Sequence, residues 1–385
     1  MLLFGNEGGD TITTFGSTNP QSIIGGNDSA DAADSLQGGV SNDIIFGNGG
    51  NDTLDGWQGA DTMIAGVGDD TIWHAFLVPT SDLVFANEGN DSVWVSGGGG
   101  ADTVFAGQGN DSVYHNSAGT ATFFGNEGND TINAFLATSV TIVGGNDSAD
   151  GNDSLTGSAG GDIIYGNGGA DTVVGSGGPD TIIGGFNNDT IVAGIAADFI
   201  FGNESNDTIN TGGGAGADTV FAGQGDDTVV AADGRDTLLG NEGNDTIRGG
   251  LGIDTITGGS GNDLFAYGTA ADDGNNANAG GPVEFVTDVN WAEDRFLVFV
   301  PIVFAAATGP GAAANLEDAA DNALAASLAL AGGGAQRVAA TFTFNGRNYV
   351  AMDQGGAFGA FTDTLDLLID ITGVTGTVGL ANFTT

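Results

Sequence analysis

Aspartate is the residue type in this chain whose spacing could do chemistry. It returns every nine positions at Asp34, Asp43, Asp52, Asp61 and Asp70, then at Asp153, Asp162, Asp171, Asp180, Asp189, Asp198 and Asp207, and again at Asp218, Asp227, Asp236, Asp245, Asp254 and Asp263. Asp10, Asp82, Asp91, Asp102, Asp111 and Asp130 continue the series, with the nine-residue step kept from Asp82 to Asp91 and from Asp102 to Asp111 and longer steps between the others. Ahead of each stands a glycine-rich hexapeptide, and behind it a short β-prone triplet. A carboxylate is a hard oxygen donor, and a glycine-rich turn can aim its carbonyls inward because glycine tolerates positive φ and close backbone approach. Together they make the donor set for a hard divalent cation such as calcium, which takes six to eight oxygens at about 2.3–2.6 Å.

Donors of this kind need elements that hold them in register. The unit reads G-G-x-G-x-D-x-U-x with U large and apolar, which alternates a turn with a short strand. Full matches include Gly97 to Asp102, Gly213 to Asp218, Gly249 to Asp254 and Gly258 to Asp263, and near matches such as GNGGND before Thr53 and GNEGND before Thr131 are more numerous. Strand side chains alternate, so the residue two after each aspartate points inward: Ile45, Leu54, Ile164, Ile182, Val220 and Ile247 are the expected thin core. A disordered glycine-rich chain with a solvated acidic surface would show no such register of apolar residues behind each acid.

The pattern resembles the repeats-in-toxin (RTX) family of hemolysin-type calcium-binding repeats over roughly two thirds of the chain. The resemblance implies an all-β fold, a right-handed parallel β-roll (β-solenoid) whose calcium ions sit between stacked turns. The ligands would be backbone carbonyls and the sixth-position aspartates, which makes all the aspartates named above candidate metal ligands. Successive nonapeptides alternate between two edges in that family, so loops 18 residues apart share an ion. Asp43 then pairs with Asp61, Asp52 with Asp70, Asp162 with Asp180, Asp171 with Asp189, and Asp227 with Asp245.

Charge points the same way. The formal net charge is −45, from 50 acidic and 5 basic residues, which repels nucleic acid and anionic membrane surfaces and opposes compaction. Calcium on the order of 15–20 ions would neutralise most of the excess, so metal binding and folding should be one event and the calcium-free chain largely unfolded. There is no cysteine, consistent with an extracellular protein stabilised by metal. No apolar run approaches the ~20 residues that span a bilayer. The start, MLLFGNEGGD, lacks a basic region, so a secretory signal peptide of the usual kind is not expected. The segment Asp363 to Thr385 instead resembles the uncleaved C-terminal signals that type I secretion machinery reads in RTX proteins.

A longer duplication overlies the nonapeptides. FGNEGGDTIT at Phe4 returns as FGNEGNDTIN at Phe124, and VFAGQGND at Val104 as VFAGQGDD at Val220. Longer intervals, as from Asp70 to Asp82, Asp91 to Asp102 and Asp207 to Asp218, should bulge as loops. The surplus aspartates of Asn27 to Asp34 and Asn146 to Asp153 read either as a variant metal site or as solvated turns. Two domains are expected: the roll over 1–265 and an α+β C-terminal cap over 266–385. The cap reading places strands around Asp288 to Asp294, a helix over Asn315 to Leu330, a hairpin turning at Asn345-Gly346 and a strand at Leu365 to Ile371. A solenoid exposes its last coil, which a cap would cover.

No G-x-S-x-G or H-E-x-x-H motif occurs, and His74 and His115, the only histidines, read as surface residues near strand ends. Aromatics recur three residues after the aspartate, at Phe46, Trp73, Phe85, Trp94, Phe105, Tyr114, Tyr165, Phe201 and Phe221. Alternation turns them outward, as an interface or as cover for a shallow core, and their occurrence on both edges defines no single stripe. Glu7, Glu88, Glu127, Glu204 and Glu242, at the third hexapeptide position, are either solvated or able to share calcium with a neighbouring molecule. The function expected is therefore a secreted, non-enzymatic calcium-binding structural protein that self-associates in a surface layer or matrix at the bacterial cell surface. A calcium-dependent adhesin for glycan or host surface is the alternative, and a small enzyme within residues 283–385 a more distant one. Ice binding would want ranks of threonine on the turns, where Asn, Glu, Gln and Gly stand instead.

Overall fold

The computed structural model describes residues 1–27, 31–76, 80–97, 99–267, 284–286, 295–298, 302–304, 337–344, 347–352, 367–370 and 383–384. They fall into two compact units, Met1–Gly194 and Ile195–Thr385. Among the described residues every regular element is a β-strand, and the architecture is a parallel β-solenoid.

In the first unit each coil contributes one short strand to each of two faces. On face A, Ile44–Gly49, Thr62–Val67, Leu83–Glu88, Ala101–Gln108 and Thr120–Glu127 stack in parallel. On face B, Thr53–Asp55, Thr71–Phe76, Ser92–Gly97, Ser112–His115 and Thr131–Asn133 do the same. The apolar residue two after each aspartate enters the interior, and rungs stack like on like. Ile45, Met63, Val84, Val104, Phe123 and Ile142 form one inward column. Leu36, Leu54, Ile72, Val93, Val113 and Ile132 form the other, and every member of both is at most 1% exposed. Each such side chain contributes about 1.5–3 kcal/mol. Beyond these two columns the interior holds mainly small residues, such as Ala65, Ala86 and Ala106, at most 1% exposed.

Asparagine at the second hexapeptide position has a backbone reason. Asn48, Asn126 and Asn167 adopt φ of 78°, 79° and 74°, a left-handed conformation that asparagine visits more readily than other residues with a side chain. The chain then leaves the corner through the aspartate, whose carbonyl accepts the N–H of the following coil, as Thr53 to Asp34 at 2.8 Å and Thr62 to Asp43 at 2.9 Å.

The second unit repeats the pattern. Phe199–Glu204, Thr219–Gln224, Thr237–Glu242 and Thr255–Ser260 stack on one face, and Thr208–Gly212, Thr228–Val230, Thr246–Arg248 and Leu264–Tyr267 on the other. Both stacks continue past the repeats. Glu284–Val286 joins Thr255–Ser260 and Arg295–Val298 joins Leu264–Tyr267, each in parallel. Leu367–Asp370 and Phe383–Thr384 then add one further parallel rung to each face. The expected hairpin is present: Arg337–Phe344 runs antiparallel to Arg347–Met352 with Phe344 opposite Arg347. Arg347–Met352 also pairs antiparallel with Leu367–Asp370, which interrupts the parallel stacking on that face before Ile302–Phe304 pairs in parallel with Arg337–Phe344. The helix expected over Asn315 to Leu330, and the turn residues Asn345 and Gly346, lie outside the described residues.

Candidate metal centre

The sixth-position aspartates are not on the surface. All those from Asp34 to Asp263 are at most 5% exposed, and only Asp10 is half-buried. Each sits where a turn enters a strand, and the backbone N–H of one donates to Oδ1 of the aspartate in the next coil. On the face B edge of the first unit this ladder runs from Asp10 through Asp34, Asp52, Asp70, Asp91, Asp111, Asp130, Asp153 and Asp171 to Asp189, with N···O distances of 2.7–2.8 Å. On the face A edge it links Asp43, Asp61, Asp82 and Asp102, and separately Asp162 and Asp180. In the second unit Asp198, Asp218, Asp236 and Asp254 form one ladder, and Asp207, Asp227, Asp245 and Asp263 the other. All five pairs expected from the 18-residue spacing are adjacent rungs.

After the first rung, where Met1 stands, three rungs on the face A edge of the first unit lack a carboxylate. Gln21 and Val140 stand in the aspartate's place, donating to Asp43 and Asp162, and Ala121 lies in register beside Asp102. The spacing to neighbouring aspartates marks these positions in the sequence, but an absent acid leaves no residue-type signal.

While Oδ1 is occupied, Oδ2 accepts the Gly39 N–H in Asp43 and the Ser158 N–H in Asp162, and in many of the others it is left without a donor. Oδ2 of Asp34, Asp52, Asp61, Asp70, Asp91, Asp111, Asp130, Asp153, Asp171, Asp227, Asp236, Asp245 and Asp254 is buried and accepts no hydrogen bond among the described residues. In Asp52, Asp61, Asp130, Asp171, Asp245 and Asp254 it points to the glycine that opens its own hexapeptide, whereas alanine opens the hexapeptides of Asp70, Asp91, Asp111, Asp227 and Asp236. A Cβ placed on Gly47 would lie 2.3 Å from Asp52 Oδ2 and 2.5 Å from the Ala65 carbonyl oxygen of the next coil, and one on Gly166 would lie 2.3 Å from Asp171 Oδ2 and 2.5 Å from the Gly184 oxygen. Carboxylate and carbonyl oxygens of adjacent coils thus converge on one small volume that the missing side chain leaves open.

Burial raises the proton affinity of these carboxylates. It raises Asp52, Asp91, Asp171, Asp227 and Asp254 to about 6, Asp111, Asp130, Asp189, Asp236 and Asp245 to about 7, and Asp61, Asp70 and Asp153 to about 8. The amide donor on Oδ1 opposes the shift without cancelling it. A buried anion needs a proton or a cation, and an array of hard oxygens with convergent carbonyls suits a divalent cation of calcium's kind.

A family model for the RTX calcium-binding nonapeptide repeat (4 copies) matches residues 24–63, 37–72, 79–113, 115–135, 147–182, 183–215, 213–238 and 239–273. The chain belongs to the RTX calcium-binding repeat family. No curated protein matches it. Among solved structures, it is similar to a hyperactive, Ca2+-dependent, β-helical antifreeze protein from an Antarctic bacterium, at 21% identity with a TM-score of 0.42, covering 65% of this chain and 83% of that one.

Other residues of this RTX chain depart from the sequence expectation. His74 and His115 are buried, at 4% and 3% exposure, not at the surface. Each lies four residues after an aspartate, the same parity as the inward apolar residue, so alternation turns it inside. His74 Nε2 lies 3.0 Å from Asp82 Oδ2 and His115 Nε2 lies 3.6 Å from Asp102 Oδ2.

The outward aromatics also sort themselves, into one stripe per face. On face A, Ile24, Phe46, Ile64, Phe85, Phe105, Phe124, Val143, Tyr165 and Ile183 are in register and half-exposed. On face B, Trp73 stacks on Trp94 at 4.4 Å and Trp94 on Tyr114 at 5.9 Å.

The third-position glutamates are all exposed. Of the surplus aspartates, Asp31 accepts the Gly8 N–H at 2.8 Å and Asp150 the Gly128 N–H at 2.9 Å, so both tie their turns to the preceding coil.

Proposed function

We propose that the two ladders hold calcium between stacked turns, that calcium drives folding, and that the folded roll serves as an extracellular structural element. In this reading Oδ2 of each sixth-position aspartate, with carbonyl oxygens of its own and the next coil, supplies the ligands. The calcium load is on the order of 15–20 ions, set by the number of ladder positions and by six to eight oxygens per ion. Bound calcium supplies the charge compensation, and the chain's own residues do the rest. The Oδ1 hydrogen bond fixes each carboxylate's rotamer, the opening glycine keeps the space clear, and the apolar columns exclude water from the corner. The protein works by binding and assembly, without catalysis. Export through the Asp363 to Thr385 segment by type I machinery belongs to the same reading, since low cytosolic calcium would leave the chain unfolded for passage.

Self-association is the finer part of the reading, and the face A stripe carries it. A flat, in-register apolar column from Ile24 to Ile183 on an otherwise acidic protein has the character of an interface, and a second copy of the chain is the partner proposed. Sedimentation and electron microscopy in millimolar calcium test this: ordered sheets or filaments are expected, dispersed by Phe105→Glu with the β-sheet spectrum retained. A monodisperse monomer at high concentration and saturating calcium overturns it. One observation favours the adhesin alternative. The outer face of Tyr114 ends the aromatic stack and opens on a groove of about 420 Å³ lined by Trp94, Asn116, Asn133, Phe135 and Leu136, where a sugar ring could stack. A monomer that binds polysaccharide, and loses it on Tyr114→Ala, would decide for that function.

A further inference from the structure

His74 occupies a place that glycine holds in the two preceding coils of this edge. Along the ladder, Gly38 and Gly56 open the hexapeptides that lead to Asp43 and Asp61, whereas His74 opens the turn that leads to Asp82. Val95 lies in register beside it in the next coil. The imidazole therefore enters the volume that the opening glycines leave clear, beside two carboxylates of the face A ladder. Asp61, His74 and Asp82 are all buried, and one ligand atom from each lies within 4.8 Å of the others. His74 Nε2 is 3.0 Å from Asp82 Oδ2 and 3.4 Å from Thr80 Oγ1. Asp61 Oδ2 and His74 Nδ1 have no hydrogen-bond partner among the described residues.

We propose that Asp61, His74 and Asp82 form a distinct site for a transition-metal dication of the zinc class, set within a ladder otherwise built for calcium. Donor chemistry separates the two. Calcium takes oxygen ligands only, whereas one imidazole nitrogen with carboxylate oxygens is a donor set for zinc, cobalt or nickel at about 2.0–2.2 Å. Charge separates it from the simpler alternative, an imidazolium paired with Asp82. That pair leaves Asp61 to take up a proton or a separate cation, while one dication with neutral His74 balances both carboxylates. His115 supplies an internal contrast. It stands 3.6 Å from Asp102, its Nε2 lies 3.1 Å from Ser117 Oγ, and the next rung holds Ala121 in place of a second carboxylate. It lacks the second anion and belongs to no such site.

The inference goes beyond the calcium reading and is tested on the full chain folded in millimolar calcium. Titration with Co2+ should give one bound ion per chain with a visible ligand-field band that excess calcium does not displace. His74→Gly, which restores the residue type common at this turn, should abolish the band, and His115→Gly should leave it intact. Circular dichroism of the same samples reads calcium-dependent folding, so failure of the roll and failure of this site are separate results. In the wild-type protein, one equivalent of Zn2+ should shift the ring resonances of one of the two histidines and not the other. An absent cobalt band in excess calcium, a band that survives His74→Gly, or zinc shifts on neither or both imidazoles would overturn the proposal.

Discussion

Withdrawing calcium at two pH values separates metal-driven folding from simple apolar collapse. In the ladders, burial raises Asp52 to about 6, Asp111 to about 7 and Asp153 to about 8, from 3.8 in the unfolded chain. A carboxyl whose pKa is higher in the fold carries no penalty below 3.8, and the penalty grows as pH rises toward the folded value. At about 1.4 kcal/mol per pH unit, these three destabilise the metal-free fold by roughly 12 kcal/mol at pH 7.5 and about 5 kcal/mol at pH 5. Three rungs alone thus match the 5–15 kcal/mol that holds a typical domain together, and the other raised aspartates add to them. The metal-free chain should therefore be unfolded at pH 7.5 and recover β-structure toward pH 5, while the calcium-loaded protein stays folded at both. The assay is far-ultraviolet circular dichroism with urea titration on protein stripped by chelating resin, at low concentration to avoid precipitation near the pI. Metal-free stability that is flat, or that rises between pH 5 and 7.5, would refute the reasoning.

Asp70→Asn should keep an oxygen for the Asp52 N–H, now 2.7 Å from Asp70 Oδ1, while removing the charge. Fewer calcium ions per chain by native mass spectrometry are expected, with the metal-free form stabilised by up to about 5 kcal/mol at pH 7.5; unchanged stoichiometry would remove Asp70 from the ligand set. Gly243 sits at φ +129° with a Cβ position 1.9 Å from the Gly225 oxygen, whereas a Cβ on Gly213 meets nothing within 4 Å. Gly243→Ala should cost well over about 1 kcal/mol of stability in calcium and Gly213→Ala less than about 0.5, and equal unfolding midpoints for the two would contradict the stacked-turn geometry.

Much of this architecture is legible in the spacing. Ile45, Leu54, Ile164, Ile182, Val220 and Ile247, expected inside by alternation, are all 0% exposed, because a period-two strand leaves no freedom once the aspartate corner is placed. The same parity puts His74 and His115 inside, where expectation from residue type alone had put them at the surface. The aromatic stripes were less legible for a different reason. Phe85 and Phe105 are neighbours only after the longer turns are taken up, so that coils of 18 to 24 residues share one register. Residue counts along the chain do not show which insertions leave the stack aligned. The rungs without a carboxylate at Gln21, Ala121 and Val140 were hidden because a repeat motif reports its matches, and chemistry missing from one seam becomes visible only when its neighbours are stacked.

The two seams of the first unit are consequently unequal. The face B seam zips without a break from Asp10 to Asp189, whereas the face A seam stops after Asp102 and resumes at Asp162. Coils couple chiefly to their nearest neighbours in such stacks, and across that interval the strands of both faces continue while the carboxylate rail runs along one edge alone. A lesion at Asp111 or Asp130 would cut that rail and should lower the steepness of calcium-stabilised unfolding more than the same lesion at Asp52, where the parallel track carries the load.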